Sequence, residues 1–196
     1  YFGTPEQAFD SSEVFTNALA AKENMRTESF AQKLCVSSQG NVDCIKNAQL
    51  EEGQKGLLFS LSNHKVLYAN GIYDKVYPAS ITKIMTAMLA LQSGKLNDTV
   101  TITQDNVTLE DGSQVCGFVA GDQVTLDQLL HCLLVYSGND AASAIAEYVG
   151  GSTENFVQMM NDYAAKLGCT GTHFSNPHGL QDENHYTTPY DIYLML

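Results

Sequence analysis

Residues 77–91 read YPASITKIMTAMLAL, and the rest of the chain is organised around them. Pro78 suits the start of a helix and Gly94 its end, and the residues between them are apolar on nearly every side. This pattern predicts a helix buried within a domain, where a lysine is rare. Lys83 follows Ser80 by three residues, so both side chains leave one face of the first turn. The spacing predicts a serine nucleophile with an adjacent amine base.

Two effects favour this chemistry. The N–H groups at a helix N-terminus stabilise negative charge on Ser80, and burial lowers the pKa of a lysine toward the neutral amine. The alternative is an ordinary helix whose Lys83 reaches water. A Ser-x-x-Lys spacing alone does not decide between the two.

Length and charge exclude several classes of partner. The chain has 196 residues, enough for one domain with a real core, and a formal net charge of -12. This acidity argues against a nucleic-acid partner and against binding to an anionic membrane. The first residue is Tyr1 rather than Met, which is compatible with removal of a leader. We expect an extracytoplasmic protein whose membrane anchoring is not visible in this chain.

The chain has five cysteines and no C-x-x-C pair, so zinc-ribbon and thioredoxin-like interpretations lack support. Cys35 and Cys44 lie in a polar stretch and can form a local disulfide in an oxidising compartment. Cys132 falls on an apolar helix face and is predicted to be a core residue. A cysteine–histidine protease built on Cys132 or Cys169 is disfavoured, because neither has the helix-start setting that lowers a thiol pKa.

The sequence divides into a polar, partly helical extension over residues 1–50 and a domain over residues 51–196. The extension can be a packing helix, an interaction arm or partly disordered. Runs at 56–61 and 65–69 flank Ser62-Asn63-His64 and predict a β-hairpin. Two strands need a cover, and the helix of residues 81–91 is the expected one.

Residues 104–170 predict an all-helical lobe behind a short strand at 100–103. Its helices begin or end at recognisable signals. The signals are a capping box from Thr125 to Gln128, an Asp140 cap for a helix over 141–149, and Gly168 after a helix over 153–167. A last helix starts near Tyr190.

Ser137, Gly138 and Asn139 lie between two of these helices, where a tight turn can project a hydroxyl and a carboxamide into a cleft. Asn139 offers a donor and an acceptor to a substrate amide, and Ser137 can relay a proton between Lys83 and a leaving amine. The alternative is an ordinary helix C-cap that uses glycine.

Three histidines with Asp182 form the remaining candidate cluster: His173, His178 and His185. Their spacings match no zinc pattern, so neither a metal nor another cofactor is predicted. His178 is expected to stabilise a loop near the cleft.

Taken together, three motifs in this order resemble the low-molecular-mass penicillin-binding proteins of the D-alanyl-D-alanine carboxypeptidase family. They are Pro78-Ala79-Ser80-Ile81-Thr82-Lys83, Ser137-Gly138-Asn139-Asp140-Ala141-Ala142 and Asn176-Pro177-His178-Gly179-Leu180. The resemblance covers about residues 54–196. It implies an α/β (α+β) fold of the β-lactamase/DD-peptidase type, with an antiparallel sheet flanked by helices and an all-helical lobe.

The resemblance also implies a function. Ser80 becomes the nucleophile, Lys83 the base, Ser137 the proton relay and Asn139 a substrate-binding residue. The implied substrate is a peptidoglycan stem peptide ending in D-Ala-D-Ala, β-lactams are implied as ligands, and no cofactor is needed. An exported, cell-wall-facing bacterial enzyme is expected.

The chain departs from the family pattern at one point, since it contains no Lys-Thr-Gly or Lys-Ser-Gly. In the family that third motif lies on a strand after the helical lobe and contributes to the oxyanion hole. We expect this chain to be the N-terminal portion of a longer protein, without the C-terminal strands. A second chain or a C-terminal fragment would then complete the sheet.

Two other functions stay open at this stage. A serine β-lactamase shares Ser-x-x-Lys, although such enzymes usually have Ser-Asp-Asn where this chain has Ser137-Gly138-Asn139, and no glutamate-bearing loop is found. A non-catalytic cell-wall-binding module would keep the fold without the third motif. The retention of Ser80 and Lys83 argues against it.

Overall fold

The computed structural model describes residues 42–43, 50–60 and 65–196, which all belong to a compact unit spanning 34–196. Most of the predicted extension, the proposed Cys35–Cys44 disulfide and the hairpin turn at 62–64 lie outside these residues.

The first sheet is antiparallel and has three strands, β1 (Val42–Asp43), β2 (Gly56–Ser60) and β3 (Lys65–Asn70), in the order β1-β3-β2. The pairing of β2 with β3 confirms the predicted hairpin. β1 lies within the segment that the sequence assigns to the extension, so the sheet includes two residues of that segment.

The predicted helix at residues 77–91 is present, but it has two parts. A 3-10 turn covers Ala79–Thr82 and helix α1 covers Lys83–Gln92. Ala79 has a φ of 48°, in the left-handed region, so a regular helix cannot begin at Pro78. Ser80 therefore lies in the 3-10 turn and Lys83 begins the α-helix.

Helix α1 lies in the middle of the core, as its all-round apolar sequence predicts. Met85, Leu89 and Ala90 are buried in one cluster with residues of the later helices. These helices are α3 (Leu126–His131), α4 (Asn139–Gly150) and α5 (Thr153–Leu167). In the part of the chain that the structure describes, no helix combines the length and the apolar character required to cross a membrane.

The helix signals of this region are largely confirmed. Thr125 and Gln128 form the capping box of α3, and Gly168 ends α5 in the left-handed conformation. The prediction that Asp140 caps its helix is wrong. Gly138 occupies the cap of α4, because the Asp140 carboxylate turns toward the backbone N–H groups of residues 116–118.

A second, two-stranded sheet pairs β4 (Thr99–Thr101) with β5 (Gln123–Thr125). The sequence predicts β4 but treats residues 111–122 as a polar connection and assigns no strand after them. β5 is short, and its place depends on pairing with a strand more than 20 residues earlier. Between the two strands lies the short helix α2 (Gln104–Val107).

The last helix, α6 (Pro189–Met195), packs against the hairpin through an edge-to-face contact between Phe59 and Tyr193, with ring centroids 4.3 Å apart. The sequence predicts this covering role for residues 81–91. The side chains of Met85, Leu89 and Ala90 instead join the core with α3, α4 and α5, while Ile81 lines a groove beside β2. An isolated bridge between Val76 and Thr187 ties the chain before the 3-10 turn to the segment before α6.

Candidate active site

The Ser80 hydroxyl lies between Lys83, the first residue of α1, and Ser137, which precedes α4. The Lys83 Nζ is 3.1 Å from Ser80 Oγ, and the Ser137 Oγ is 3.0 Å from it on the other side. The first distance follows from the i, i+3 spacing, whereas the second joins residues 57 positions apart. The fold therefore places one hydroxyl between an amine and a second hydroxyl.

Lys83 is 3 % exposed, and its three described hydrogen-bond partners are uncharged. Its Nζ donates to the Asn139 Oδ1 at 2.7 Å and to the His178 carbonyl oxygen at 2.8 Å. Both oxygens can only accept, so they take two N–H hydrogens of the amine. When the amine is neutral, its lone pair is left to face Ser80 Oγ.

Burial lowers the pKa of Lys83 to about 8. The ammonium form loses its hydration, and no carboxylate is among its described partners to compensate. About a tenth of the amine is therefore neutral at pH 7, and the neutral fraction rises to about half near pH 8. An amine with this pKa can accept a proton from a hydroxyl and return it within one catalytic cycle.

The loop that carries Ser137 has an unusual backbone. Residues Cys132–Tyr136 form a π-helical turn, and Ser137 follows with φ 63° and ψ 34° in the left-handed region. A π-helical turn is rare in proteins, and a left-handed conformation is uncommon for a residue other than glycine. Both features occur preferentially at functional sites. They direct the Ser137 hydroxyl toward Ser80 and allow α4 to begin at once with Asn139.

Asp140, one residue after Asn139, binds the segment of residues 116–118 to the start of α4. Its buried carboxylate accepts hydrogen bonds from the backbone N–H groups of Cys116 at 2.9 Å and Gly117 at 3.0 Å, with a longer one from Phe118. The Asn139 N–H donates to the Gln114 carbonyl at 2.7 Å. The segment around residue 116 is thereby fastened to the first turn of α4.

The segment of residues 173–187, here called the brace loop, closes the other side of the site. Its Pro177 and His178 carbonyls accept hydrogen bonds from Thr86 and Lys83. Gly179 has φ +90°, and its Cα lies against the Ala79 carbonyl so closely that no side chain fits between them. The Asn-Pro-His-Gly-Leu motif thus packs directly on the turn that carries Ser80.

The sequence profile of the D-alanyl-D-alanine carboxypeptidases matches residues 46–196, most of the chain. The chain belongs to the D-alanyl-D-alanine carboxypeptidase family. The β-lactamase/DD-peptidase fold expected from the sequence is confirmed by solved structures.

Two curated relatives illustrate the similarity within this family. D-alanyl-D-alanine carboxypeptidase DacF of Bacillus subtilis is 38% identical over 148 residues, which are 74% of this chain and 38% of that protein. DacC of Escherichia coli is 40% identical over 149 residues, 71% of this chain and 37% of that protein. The chain therefore spans less than two fifths of the length of these relatives.

A solved D-alanyl-D-alanine carboxypeptidase from Mycobacterium tuberculosis superimposes with a TM-score of 0.69 at 31% identity. The match covers 79% of this chain and 59% of that structure. Penicillin binding protein 6B from Escherichia coli gives 0.67 at 32% identity, over 79% of this chain and 52% of that structure.

The structure thus brings together all four residues that the sequence proposes for the site, Ser80, Lys83, Ser137 and Asn139. Sequence reasoning missed Thr82, Asp140 and His185. Thr82 bonds to the His185 ring at 2.7 Å, although 103 positions separate the two residues. Nothing in a single sequence signals such a pair.

The histidines of the remaining candidate cluster form hydrogen bonds within the brace loop. The His173 Nδ1 bonds to the Asn184 carbonyl, and the His178 Nδ1 accepts from the Leu180 N–H. Burial, with the Lys83 charge as a second cause, lowers the pKa of His178 to about 4, so this ring stays neutral beside the amine. No group of three or more metal-ligating side chains occurs in the described part of the chain.

Two of the described cysteines, Cys116 and Cys169, lack the surroundings that activate a thiol nucleophile. Burial and the neighbouring Asp140 raise the pKa of Cys116 to about 12, and burial with Asp191 raises that of Cys169 to about 12. Cys132 packs against the core, as predicted. A thiolate nucleophile at Cys116 or Cys169 is therefore disfavoured.

Proposed function

We propose that this chain carries the acylating site of a serine D-Ala-D-Ala carboxypeptidase that acts outside the cytoplasm. The proposed substrate is a peptidoglycan stem peptide ending in D-Ala-D-Ala, and β-lactams are proposed to acylate the same serine. The observation that carries the proposal is the Ser80 Oγ, 3.1 Å from a buried lysine amine and 3.0 Å from the Ser137 hydroxyl.

In the first step, neutral Lys83 accepts the proton of Ser80 as Oγ attacks the carbonyl carbon between the two terminal D-alanines. The Asn139 and His178 oxygens hold the amine through its N–H hydrogens, and they stabilise the ammonium when it forms. The lysine thus keeps its position in both protonation states. The base needs no rearrangement between turnovers.

In the second step, the C–N bond breaks. The Ser137 hydroxyl donates its proton to the departing amine nitrogen and regains one from the Lys83 ammonium, since Ser137 Oγ and Lys83 Nζ lie on either side of Ser80 Oγ at 3.0 and 3.1 Å. D-alanine leaves, and the rest of the stem peptide stays as an ester on Ser80. Water then attacks this ester, with Lys83 as the base, and releases the shortened peptide. The reaction consumes one water and needs no metal.

Asn139 is proposed to bind the substrate through the end of its side chain that does not face the lysine. Its Oδ1 accepts from Lys83, so the Nδ2 hydrogens are the ones available to a substrate carbonyl. One residue then couples substrate binding to the position of the base.

We propose further that a segment outside this chain completes the sheet beside β2, either a C-terminal continuation or a second chain. β2 stands at one edge of the described sheet. Next to it lies an apolar groove, whose lining includes Leu57, Val76, Ile81, Ile192 and Leu196. Because Ile81 directly follows Ser80, a strand in this groove would reach the nucleophile and supply groups to the oxyanion hole.

The test is the intact mass of the protein before and after benzylpenicillin, with Ser80→Ala and, at the C-terminal end of α1, the half-buried Ser93→Ala as matched variants. We expect the wild type and Ser93→Ala to gain one penicillin, and Ser80→Ala to gain none. Rapid turnover without an adduct would indicate a β-lactamase instead. If the protein neither gains the adduct nor turns over penicillin, alone or together with a C-terminal continuation or a second chain, the proposed function is wrong.

A further inference from the structure

The His185 ring is 1 % exposed, and both of its nitrogens have partners. The Ser175 N–H donates to Nδ1 at 3.0 Å, and Nε2 lies 2.7 Å from the Thr82 Oγ1. A backbone amide can only donate, so Nδ1 is an acceptor. The hydrogen of the neutral ring is then on Nε2 and is donated to Thr82.

This arrangement holds only for a neutral ring, because a second ring hydrogen would point at the Ser175 N–H. Burial lowers the pKa of His185 to about 4, so the ring stays neutral near pH 7. Phe174 packs against the ring with centroids 5.6 Å apart, and the backbone N–H of His185 donates to the Asp182 carbonyl. The ring is therefore held in one orientation.

Thr82 is the last residue of the 3-10 turn and lies between Ser80 and Lys83. The same turn contains Ala79 with a left-handed φ of 48°. For a residue with a side chain this conformation costs about 1–2 kcal/mol, so it persists only when the surroundings hold it. The turn that presents the nucleophile therefore depends on contacts from outside itself.

The brace loop makes those contacts, and most of them use backbone atoms. Lys83 and Thr86 bond to the His178 and Pro177 carbonyls, which no substitution removes directly. The bond from His185 to Thr82 joins two side chains. It can therefore be removed while the peptide groups remain.

We propose that His185 is a positioning residue, whose Nε2–H holds Thr82 and thereby sets the geometry in which Ser80 Oγ meets Lys83 Nζ. This inference rests on the proposed function. His185 touches neither Ser80 nor Lys83 among the described contacts, so it acts through Thr82.

Two variants separate positioning from simple support of the loop. In His185→Gln, the side-chain amide reaches the place of Nε2 and can still donate to Thr82. In His185→Asn, the shorter amide matches Nδ1 and can still accept from Ser175, but it no longer reaches Thr82. Thr82→Val removes the acceptor from the other side, and the exposed His131→Gln is the control.

The measurement is the rate constant of acylation by a fluorescent penicillin, split into the noncovalent dissociation constant and the acylation step, with the unfolding midpoint of each variant. We expect His185→Asn and Thr82→Val to slow the acylation step by about tenfold or more, since small displacements of reacting groups have such effects. The dissociation constant should change by less than about threefold. His185→Gln should recover most of the rate, and combining Thr82→Val with His185→Asn should add little, because both remove one bond.

The proposal is overturned if His185→Gln and His185→Asn lose rate equally, or only in proportion to their loss of stability. It is also overturned if His185→Asn acylates at the wild-type rate, and the proposed function then stands. A wild type that is not acylated, either alone or together with a segment that completes the sheet, would remove both.

Discussion

The Sγ of Cys116 occupies the space into which a side chain on residue 138 would have to extend. Gly138 has an ordinary φ of −63°, so the glycine is required by this contact and not by its backbone conformation. The Asp140 Oδ1 closes the same space at 2.8 Å. The middle residue between Ser137 and Asn139 is therefore determined by a loop more than 20 residues earlier in the chain.

We predict that Gly138→Ala displaces Cys116, costs about 1–3 kcal/mol of folding free energy as overpacking does, and slows acylation of Ser80. Adding Cys116→Ala should return part of both losses, because it removes the Sγ. Urea unfolding and penicillin acylation measure the two effects. If Cys116→Ala worsens the Gly138→Ala variant, the contact does not explain the glycine.

The lowered pKa of Lys83 predicts the pH dependence of acylation. The neutral base becomes more abundant as pH rises through about 8, so the acylation rate should rise with pH and level off above that value. His178 and His185, with pKa values lowered to about 4, do not titrate in this range. A rate that falls between pH 7 and 9 would contradict Lys83 as the base.

Asn139→Asp should move that profile. A carboxylate would stand 2.7 Å from the Lys83 Nζ, favour the ammonium form and raise the pKa of the lysine. We expect acylation at pH 7 to fall by about tenfold or more, with partial recovery at high pH. Asn184→Asp adds the same charge on the exposed part of the brace loop and should leave the profile unchanged.

The left-handed conformation of Ser137 predicts a difference between two variants that both lack the hydroxyl. Ser137→Gly relieves the backbone, whereas Ser137→Ala keeps its cost, so the glycine variant should be more stable by about 1 kcal/mol. The two variants should show the same decrease in the rate of acylation, because both lack the hydroxyl that transfers the proton to the leaving group. Unequal losses of activity would show that the backbone matters more than the hydroxyl.

Asp140→Asn should weaken the attachment of the 116–118 segment. The amide keeps one acceptor oxygen and turns its NH2 group toward N–H donors, so about 2–3 kcal/mol of stability should be lost. Limited proteolysis should then cut this segment first. The exposed Asp162→Asn on α5 is the control, and equal stability of the two variants would argue against the attachment.

Much of the fold follows from local sequence. The capping box at Thr125, the helix end at Gly168 and the Ser80–Lys83 spacing are each encoded within a few residues, and each is confirmed. The strand β5, the packing of α6 on the hairpin and the bond between Thr82 and His185 are not predicted. They depend on partners far apart in the chain, and no local pattern specifies which distant segment will pack against a given element.

The brace loop also has a consequence for the order of events during synthesis. Ser80 and Lys83 emerge together, but the distant contacts of the amine come from Asn139 and His178, 56 and 95 positions after Lys83. Until those residues have been made and packed, the lysine is hydrated, carries its proton and cannot act as a base. A half-made chain therefore holds the reactive pair in an inert form. The nucleophile is activated only when the brace loop, the last segment before α6, closes over it.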